Sequence, residues 1–421
     1  MEIGIIGTGK IGKVYAKEFA KAGYIVNCCD LPAKREKLEK ELAGTGIKIL
    51  DDGTAVSRRS DMIFYLVEMD NIEKAAEIYG PATKKNAIVS SGTSVMTPAV
   101  EAFEKYMPKD VKIINWHWLF GPSISPKGQT SAVVNHRSSE EDYKMAMDAF
   151  EKIGTKIVEL DSYEEHDKIT ADTQATPHLA FESMGTAWKN AGFYPWENPS
   201  YAGGIDNVKV LICLRIYSGE PHLYSGIAMH NPFAKSQIRQ YAKSESELFK
   251  MMIQEDGKNF RERLKRARDY VFGNNDNPIL LDDKIMGKFG LGISAENKIS
   301  NSHSSLLAKV DAWRHLDINP YRHLICQTPN FRLLLGITEY LFRNEYLLEE
   351  SIETALFDKK IRGDDLEFHT AVREWSKIIE NGDSEGYKKQ FEETKAFFAD
   401  RLEEGMKKSD ELIKMLSEAA A

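Results

Sequence analysis

Residues 1–12 read Met-Glu-Ile-Gly-Ile-Ile-Gly-Thr-Gly-Lys-Ile-Gly. The run from Glu2 to Ile6 has the composition of a buried strand, and Gly7, Gly9 and Gly12 follow it in the order G-x-G-x-x-G. From Lys10 to Lys21 the apolar residues recur at helical spacing. A strand, a glycine loop and a helix in that order open a dinucleotide-binding βαβ unit. Gly7 permits the tight turn, Gly9 lets the backbone approach a pyrophosphate, and Gly12 lets the helix sit close to the strand. The amino end of the helix then offers unpaired N–H groups and the positive end of its dipole to that pyrophosphate. Gly7, Thr8, Gly9, Lys10, Ile11 and Gly12 are therefore the candidate cofactor-binding residues. Asp30, 18 residues beyond Gly12, closes the second strand at the distance expected for a carboxylate that accepts from the adenosine ribose hydroxyls. Such a carboxylate favours NAD, because it repels a 2'-phosphate; Lys34 and Arg35 are near enough in sequence to offset that repulsion.

Outward from this unit, β-rich runs alternate with helical patterns as far as residue 162. The strands are expected at Glu2 to Ile6, Ile25 to Cys29, Ile47 to Leu50, Met62 to Leu66, Ala87 to Ser90, Val111 to Asn115, Ser131 to Val134 and Lys156 to Glu159, with a helix at Tyr143 to Ile153. This is a doubly wound α/β domain of Rossmann type, whose crevice lies at the carboxyl ends of the strands. After Tyr163 the 3.6-residue period dominates, so an all-α C-terminal region follows. The Gly-, Asn- and Asp-rich stretch 273–303 divides it, giving three expected domains: 1–162, 163–280 and 281–421.

Composition narrows the class. The chain has 421 residues, 42% apolar and 29% charged, enough for more than one core and too apolar for disorder. Its net charge of −8 supplies no field for a polyanion, so nucleic acid is not an expected partner. No run approaches 18 consecutive apolar residues, and the chain opens on a strand instead of a signal peptide, so no membrane association and a cytoplasmic location are expected. Cys28, Cys29, Cys213 and Cys326 are too few and too scattered for a disulfide or zinc framework, and adjacent Cys28 and Cys29 on a strand point to opposite faces. No metal is expected.

A hydride acceptor in the crevice calls for a base that removes a hydroxyl proton. His117, in Asn-Trp-His-Trp-Leu-Phe-Gly-Pro at the end of the sixth strand, is the candidate, and Ser94 in Ser-Ser-Gly-Thr-Ser can orient it. A core histidine between two tryptophans is the alternative. Arg215 interrupts an apolar run from Val210 to Tyr217; an enclosed guanidinium needs an anionic partner, either a structural Asp or Glu or a substrate carboxylate. His166 and Asp167 stand near a helix start, and Gln174 and His178 are spaced i, i+4, with Pro177 between them as a possible kink.

These segments resemble prephenate dehydrogenase, specifically its long fungal form. The likeness includes Ala-Phe-Glu-Lys-Tyr-Met-Pro-Lys-Asp (102–110), Tyr-Glu-Glu-His-Asp-Lys-Ile-Thr-Ala-Asp-Thr-Gln-Ala (163–175), Asn-Val-Lys-Val (207–210), Leu-Arg-Ile-Tyr-Ser (214–218) and Asp-Asp-Leu-Glu-Phe (364–368). The resemblance implies oxidative decarboxylation of prephenate to 4-hydroxyphenylpyruvate, with hydride transfer to NADP or NAD and release of CO2. It implies that His117 is the catalytic histidine, that Ser94 hydrogen-bonds it, and that Arg215 grips a carboxylate of a small dicarboxylate substrate. That arginine sits in a family pattern continued by Glu220, Pro221, Leu223 and Tyr224. His166, Asp167, Ala171, Pro177 and His178 fit the bacterial helix pattern, whereas Gln174 and Ala175 replace its Ser-His pair and Met96 replaces a lysine. Gln174 and His178 are thus the further substrate-binding candidates. The resemblance also implies a homodimer and, against the plain reading of Asp30, NADP. Arogenate dehydrogenase is the nearest alternative, a β-hydroxyacid dehydrogenase a second, and a non-catalytic dinucleotide sensor a third.

Overall fold

The computed structural model describes residues 1–273, 279, 283–292, 296 and 298–418. Two compact units result. The first comprises Met1–Thr170 with His230–Pro232 and Ile325–Gln327; the second comprises Ala171–Met229, Phe233–Leu324 and Thr328–Ala421. The expected boundary at 280/281 lies outside the described residues.

The first unit is built on β1 (Glu2–Ile6), β2 (Ile25–Cys29), β3 (Lys48–Ile49), β4 (Met62–Tyr65), β5 (Ile88–Ser91), β6 (Lys112–Trp118), β7 (Thr130–Arg137) and β8 (Lys156–Leu160). They form one sheet in the order β3-β2-β1-β4-β5-β6-β7-β8. The pairs are parallel except β6 with β7. The first six strands follow the doubly wound order, whose switch point at β1 and β4 places the ligand crevice at the strand ends. Burial on both faces explains why these strands read as nearly unbroken apolar runs. Cys28 packs in one layer and Cys29 in the other, as alternation along a strand requires. All four cysteines are free and buried.

One strand differs from expectation in a way that matters. β6 runs three residues past Asn115, because antiparallel β7 continues the ladder through Trp116↔Val133, His117↔Ala132 and Trp118↔Ser131. Within that extension Trp116 stacks on Phe150 and Trp118 on Tyr15. The intervening His117 faces the opposite layer, with Ala132 and Val134. The tryptophans therefore do not enclose the histidine; alternation separates them from it.

The second unit is helical. Its framework includes helices Thr176–Ala191, Gly204–Tyr217, Ala234–Ile253, Gly257–Phe272, Ser304–His315, Pro329–Arg343, Lys359–Asn381, Ser384–Phe397 and Leu402–Glu418. Helix Thr176–Ala191 packs against Gly204–Tyr217 and Lys359–Asn381. Trp188, Trp313, Trp375, Tyr217, Tyr241 and Tyr387 are its largest fully buried side chains. Among the described residues no helix is long and apolar enough to cross a membrane.

Candidate active site

The glycine loop has the geometry its sequence demands. Gly7 adopts φ +93°, and a Cβ there would lie 2.6 Å from the Leu66 carbonyl oxygen. A Cβ on Gly12 would lie 2.3 Å from the Gly7 carbonyl oxygen, so the helix can approach the turn only without a side chain. A Cβ on Gly9 would meet nothing within 4 Å: this residue faces open space, as a backbone that must admit a phosphate should. Helix Lys10–Lys21 has no side-chain N-cap and no acidic residue in its first turn, which leaves its N–H groups and dipole to an anion. Thr8 donates its hydroxyl to the Cys29 carbonyl (2.8 Å) and pins the loop to β2, leaving its backbone for ligand contact. Asp30 accepts from the Leu31 N–H at 2.7 Å and pairs with Lys34 at 3.5 Å. Arg35 is engaged by Glu39 and Asp51. These residues fit the pyrophosphate of a nicotinamide dinucleotide, and Asp30 stands where the ribose carboxylate belongs.

His117 is the centre of a buried chain of side chains within the first unit. Its Nε2 lies 3.2 Å from Ser94 Oγ, its Nδ1 lies 2.9 Å from His166 Nε2, and His166 Nδ1 lies 2.8 Å from Asp167 Oδ1. Asp167 also accepts from the Met96 N–H (2.8 Å), the Thr97 N–H (2.8 Å) and the Thr97 hydroxyl (2.7 Å). A carboxylate so placed can only accept. His166 must therefore carry its proton on Nδ1, which makes its Nε2 an acceptor. His117 must then donate from Nδ1, and its Nε2 keeps a lone pair facing the Ser94 hydroxyl. One buried charge thus selects a tautomer two residues away. Burial first, and the nearby His166 second, hold the His117 imidazole well below the usual histidine range, so it is neutral at physiological pH.

The structure therefore unites Ser94 with His117 and adds His166 and Asp167, whose part the sequence did not disclose. His166 is 49 residues from His117, and Asp167 is 71 from Met96. The available signal was two titratable residues in succession on a helix, Tyr163–Thr170, where both are fully buried.

Gln174, His178 and Arg215 belong to the second unit. Gln174 lies in a π-helical turn, Ala171–Ala175, and Pro177 stands in the first turn of the next helix. Pro177 has no N–H for the Thr173 carbonyl, which instead accepts from the Thr328 hydroxyl at 3.4 Å. The wider π turn breaks the i, i+4 register expected between Gln174 and His178. His178 is buried, and burial pushes its imidazole down to about 3. Its ring meets Tyr224 edge-on at 4.8 Å, and its Nδ1 has no hydrogen-bond partner among the described residues. One turn further, buried Glu182 accepts from the Tyr387 hydroxyl at 2.6 Å while Oε2 is unpartnered; burial raises this carboxyl to about 8. Arg215, on helix Gly204–Tyr217, pairs through Nη1 with Asp410 Oδ1 at 2.5 Å. A protein carboxylate thus meets the enclosed guanidinium, one of the two partners its sequence left open.

Glycine loop, switch-point sheet and tautomer-fixed histidine define an NAD(P)-dependent oxidoreductase. Residues 2–93 match the family described as NADP oxidoreductase, coenzyme F420-dependent. Residues 175–418, more than half of the chain, match a 6-phosphogluconate dehydrogenase C-terminal domain family. The chain is 45% identical over 424 residues to the prephenate dehydrogenase [NADP(+)] of Saccharomyces cerevisiae, covering 98% of this chain and 93% of that protein. It is 43% identical over 422 residues to the probable prephenate dehydrogenase [NADP(+)] of Schizosaccharomyces pombe, covering 99% and 98%. The crystal structure of prephenate dehydrogenase from A. aeolicus, solved with hydroxyphenyl propionate and NAD+, shares the fold at TM-score 0.50 and 16% identity, covering 63% of this chain and 95% of that one. The chain belongs to the prephenate dehydrogenase family.

Proposed function

We propose that this chain oxidises prephenate to 4-hydroxyphenylpyruvate and CO2 with NADP as hydride acceptor, and that His117 is the general base. The observation that carries this reading is the relay from Asp167 through His166, which leaves Nε2 of His117 as a buried, neutral lone pair. The bound dinucleotide supplies the hydride acceptor. His117 Nε2 takes the proton of the C4 hydroxyl while the C4–H bond gives up its hydride. The resulting imidazolium is stabilised through His166 by the Asp167 carboxylate, the same arrangement that fixed the tautomer. The ring ketone receives the electron pair of the departing carboxylate, so loss of CO2 restores aromaticity and needs no acid. Ser94 aligns the base; Arg215, His178 and Gln174 receive the carboxylates and side chain of the substrate.

NADP is favoured because the two fungal relatives bear that name, and because Lys34, with a side chain 59% exposed, partly neutralises Asp30 and is free to meet a 2'-phosphate. We further propose a cytoplasmic homodimer with no nucleic-acid partner. A segment division at 162/163 and 280/281 completes the proposal. Initial rates with prephenate and with arogenate, each with NADP and NAD, test the function. Prephenate with NADP should be fastest. A preference for arogenate would reassign the substrate, and dinucleotide binding with neither substrate turned over would make the chain a sensor.

A further inference from the structure

We propose that Asp410 is a positioning residue that holds Arg215 by Nη1 and thereby presents the Nε–Nη2 edge of the guanidinium to a substrate carboxylate. The C-terminal helix Leu402–Glu418 would then complete the substrate site. The proposal rests on the reading of Arg215 as the carboxylate-binding residue.

The helix is seated against Gly204–Tyr217 by features that leave little play. A Cβ on Gly405 would lie 2.6 Å from Leu214 Cδ1 and 2.7 Å from Leu214 Cβ, so the contact beside Arg215 requires a glycine. Ser409 and Leu412 are fully buried. The Ser218 hydroxyl donates to the Leu402 carbonyl at 3.3 Å, and Lys395 Nζ donates to the Gly219 carbonyl at 2.9 Å, which ties the end of one helix to the start of the other.

From this seat Met406, Ser409 and Asp410, spaced i, i+3 and i+4, form one face over the guanidinium. Their contacts are Sδ at 3.4 Å, Oγ at 3.5 Å and Oδ1 at 2.5 Å, and all three fall on Nη1. Among the described residues no hydrogen bond engages Nε or Nη2. A guanidinium is a rigid planar fork, so fixing one nitrogen fixes the plane, and the remaining edge matches a carboxylate in bidentate fashion. The Arg215 side chain is only 12% exposed, so a second anion reaching it would be well shielded from solvent. A surface cleft lined by Ser218, Met406 and Asp410, with Lys395, Lys407 and Lys414 around it, opens beside the pair and gives a small anion a place to enter.

The test is steady-state kinetics on the full chain with Asp410→Asn, Asp410→Glu and, in parallel, Arg215→Ala. Arg215→Ala should raise the KM for prephenate by about 10- to 100-fold, the range for losing a charge-assisted pair. Asp410→Asn should raise it by about 5- to 20-fold, with kcat within about twofold and the KM for NADP unchanged; Asp410→Glu should recover most of the loss. A merely structural helix would instead shift Tm and both KM values together. An unchanged KM in Asp410→Asn overturns the proposal, and so does a lowered one, which would make Asp410 a competitor of the substrate. If Arg215→Ala leaves KM unchanged, the reading of Arg215 falls as well; if it raises KM while Asp410→Asn does not, only the role of Asp410 is lost.

Discussion

The two units each bury a histidine, and in both burial drives the imidazole below its usual range. There the likeness stops. His117 has both ring nitrogens engaged, with a carboxylate at the end of the chain that settles which nitrogen bears the proton. His178 rests against Tyr224 with Nδ1 unpartnered, one helical turn from a Glu182 whose Oε2 is also unpartnered. Desolvation alone keeps a histidine neutral, but only an ordered set of hydrogen bonds decides where its lone pair points. A base needs both, and the first unit supplies both.

The comparison can be broken most directly at its centre. Replacing His117 by Asn should lower kcat by about 1000-fold, and by no less than about 100-fold, with dinucleotide affinity nearly intact. In the unaltered chain the acid limb of kcat/KM should fall well below pH 6.5, because His117 acts as the neutral form and its proton affinity is depressed. A small loss of turnover would remove His117 from the base role.

A step down in size, Asp167→Asn should cost about 100-fold in kcat, since an amide no longer dictates that His166 carry its proton on Nδ1. Asp167 also anchors the N–H groups of Met96 and Thr97, so Tm must be measured alongside. If Tm falls while kcat holds, the residue is an anchor and not part of the relay.

The smallest effect belongs to the helical unit and is read in stability. Folded Glu182 binds its proton up to about pH 8, against an ordinary 4.5, so its contribution is full below pH 4.5 and is lost as pH rises through 8. His178 has the opposite sign: its folded value is depressed, so stability is lost as pH falls below 6.5 toward about 3. Glu182→Gln keeps an acceptor for Tyr387 and should flatten the alkaline decline by about 1–3 kcal/mol in urea titrations from pH 5 to 8. Equal slopes in both chains would show that Glu182 is ionised when folded.

The parts of the site legible in the sequence are those whose physics is local. The glycine loop is one: Gly7 and Gly12 are needed by a turn that closes within twelve residues, and nearly all partners of that turn are backbone atoms. Ser94 and His117 were readable as strand-end residues because crevice residues follow from strand order. Harder to foresee was the extension of β6 to Trp118, since it depends on the antiparallel neighbour. The same holds for the π turn before Pro177, where a lost N–H is answered by Thr328, far along the chain.

The sequence by itself determined a dinucleotide-binding βαβ unit, a helical second half and, through resemblance, the family and its candidate residues. Periodicity and glycine spacing suffice for these because they act over one or two turns of chain. Only the tertiary structure decided that His166 and Asp167 set the tautomer of His117, that the tryptophans flanking it face away, and that Arg215 meets a carboxylate 195 residues distant. Hydrogen bonds and ion pairs act over about 3 Å of space regardless of separation in sequence, so no local pattern could have announced them.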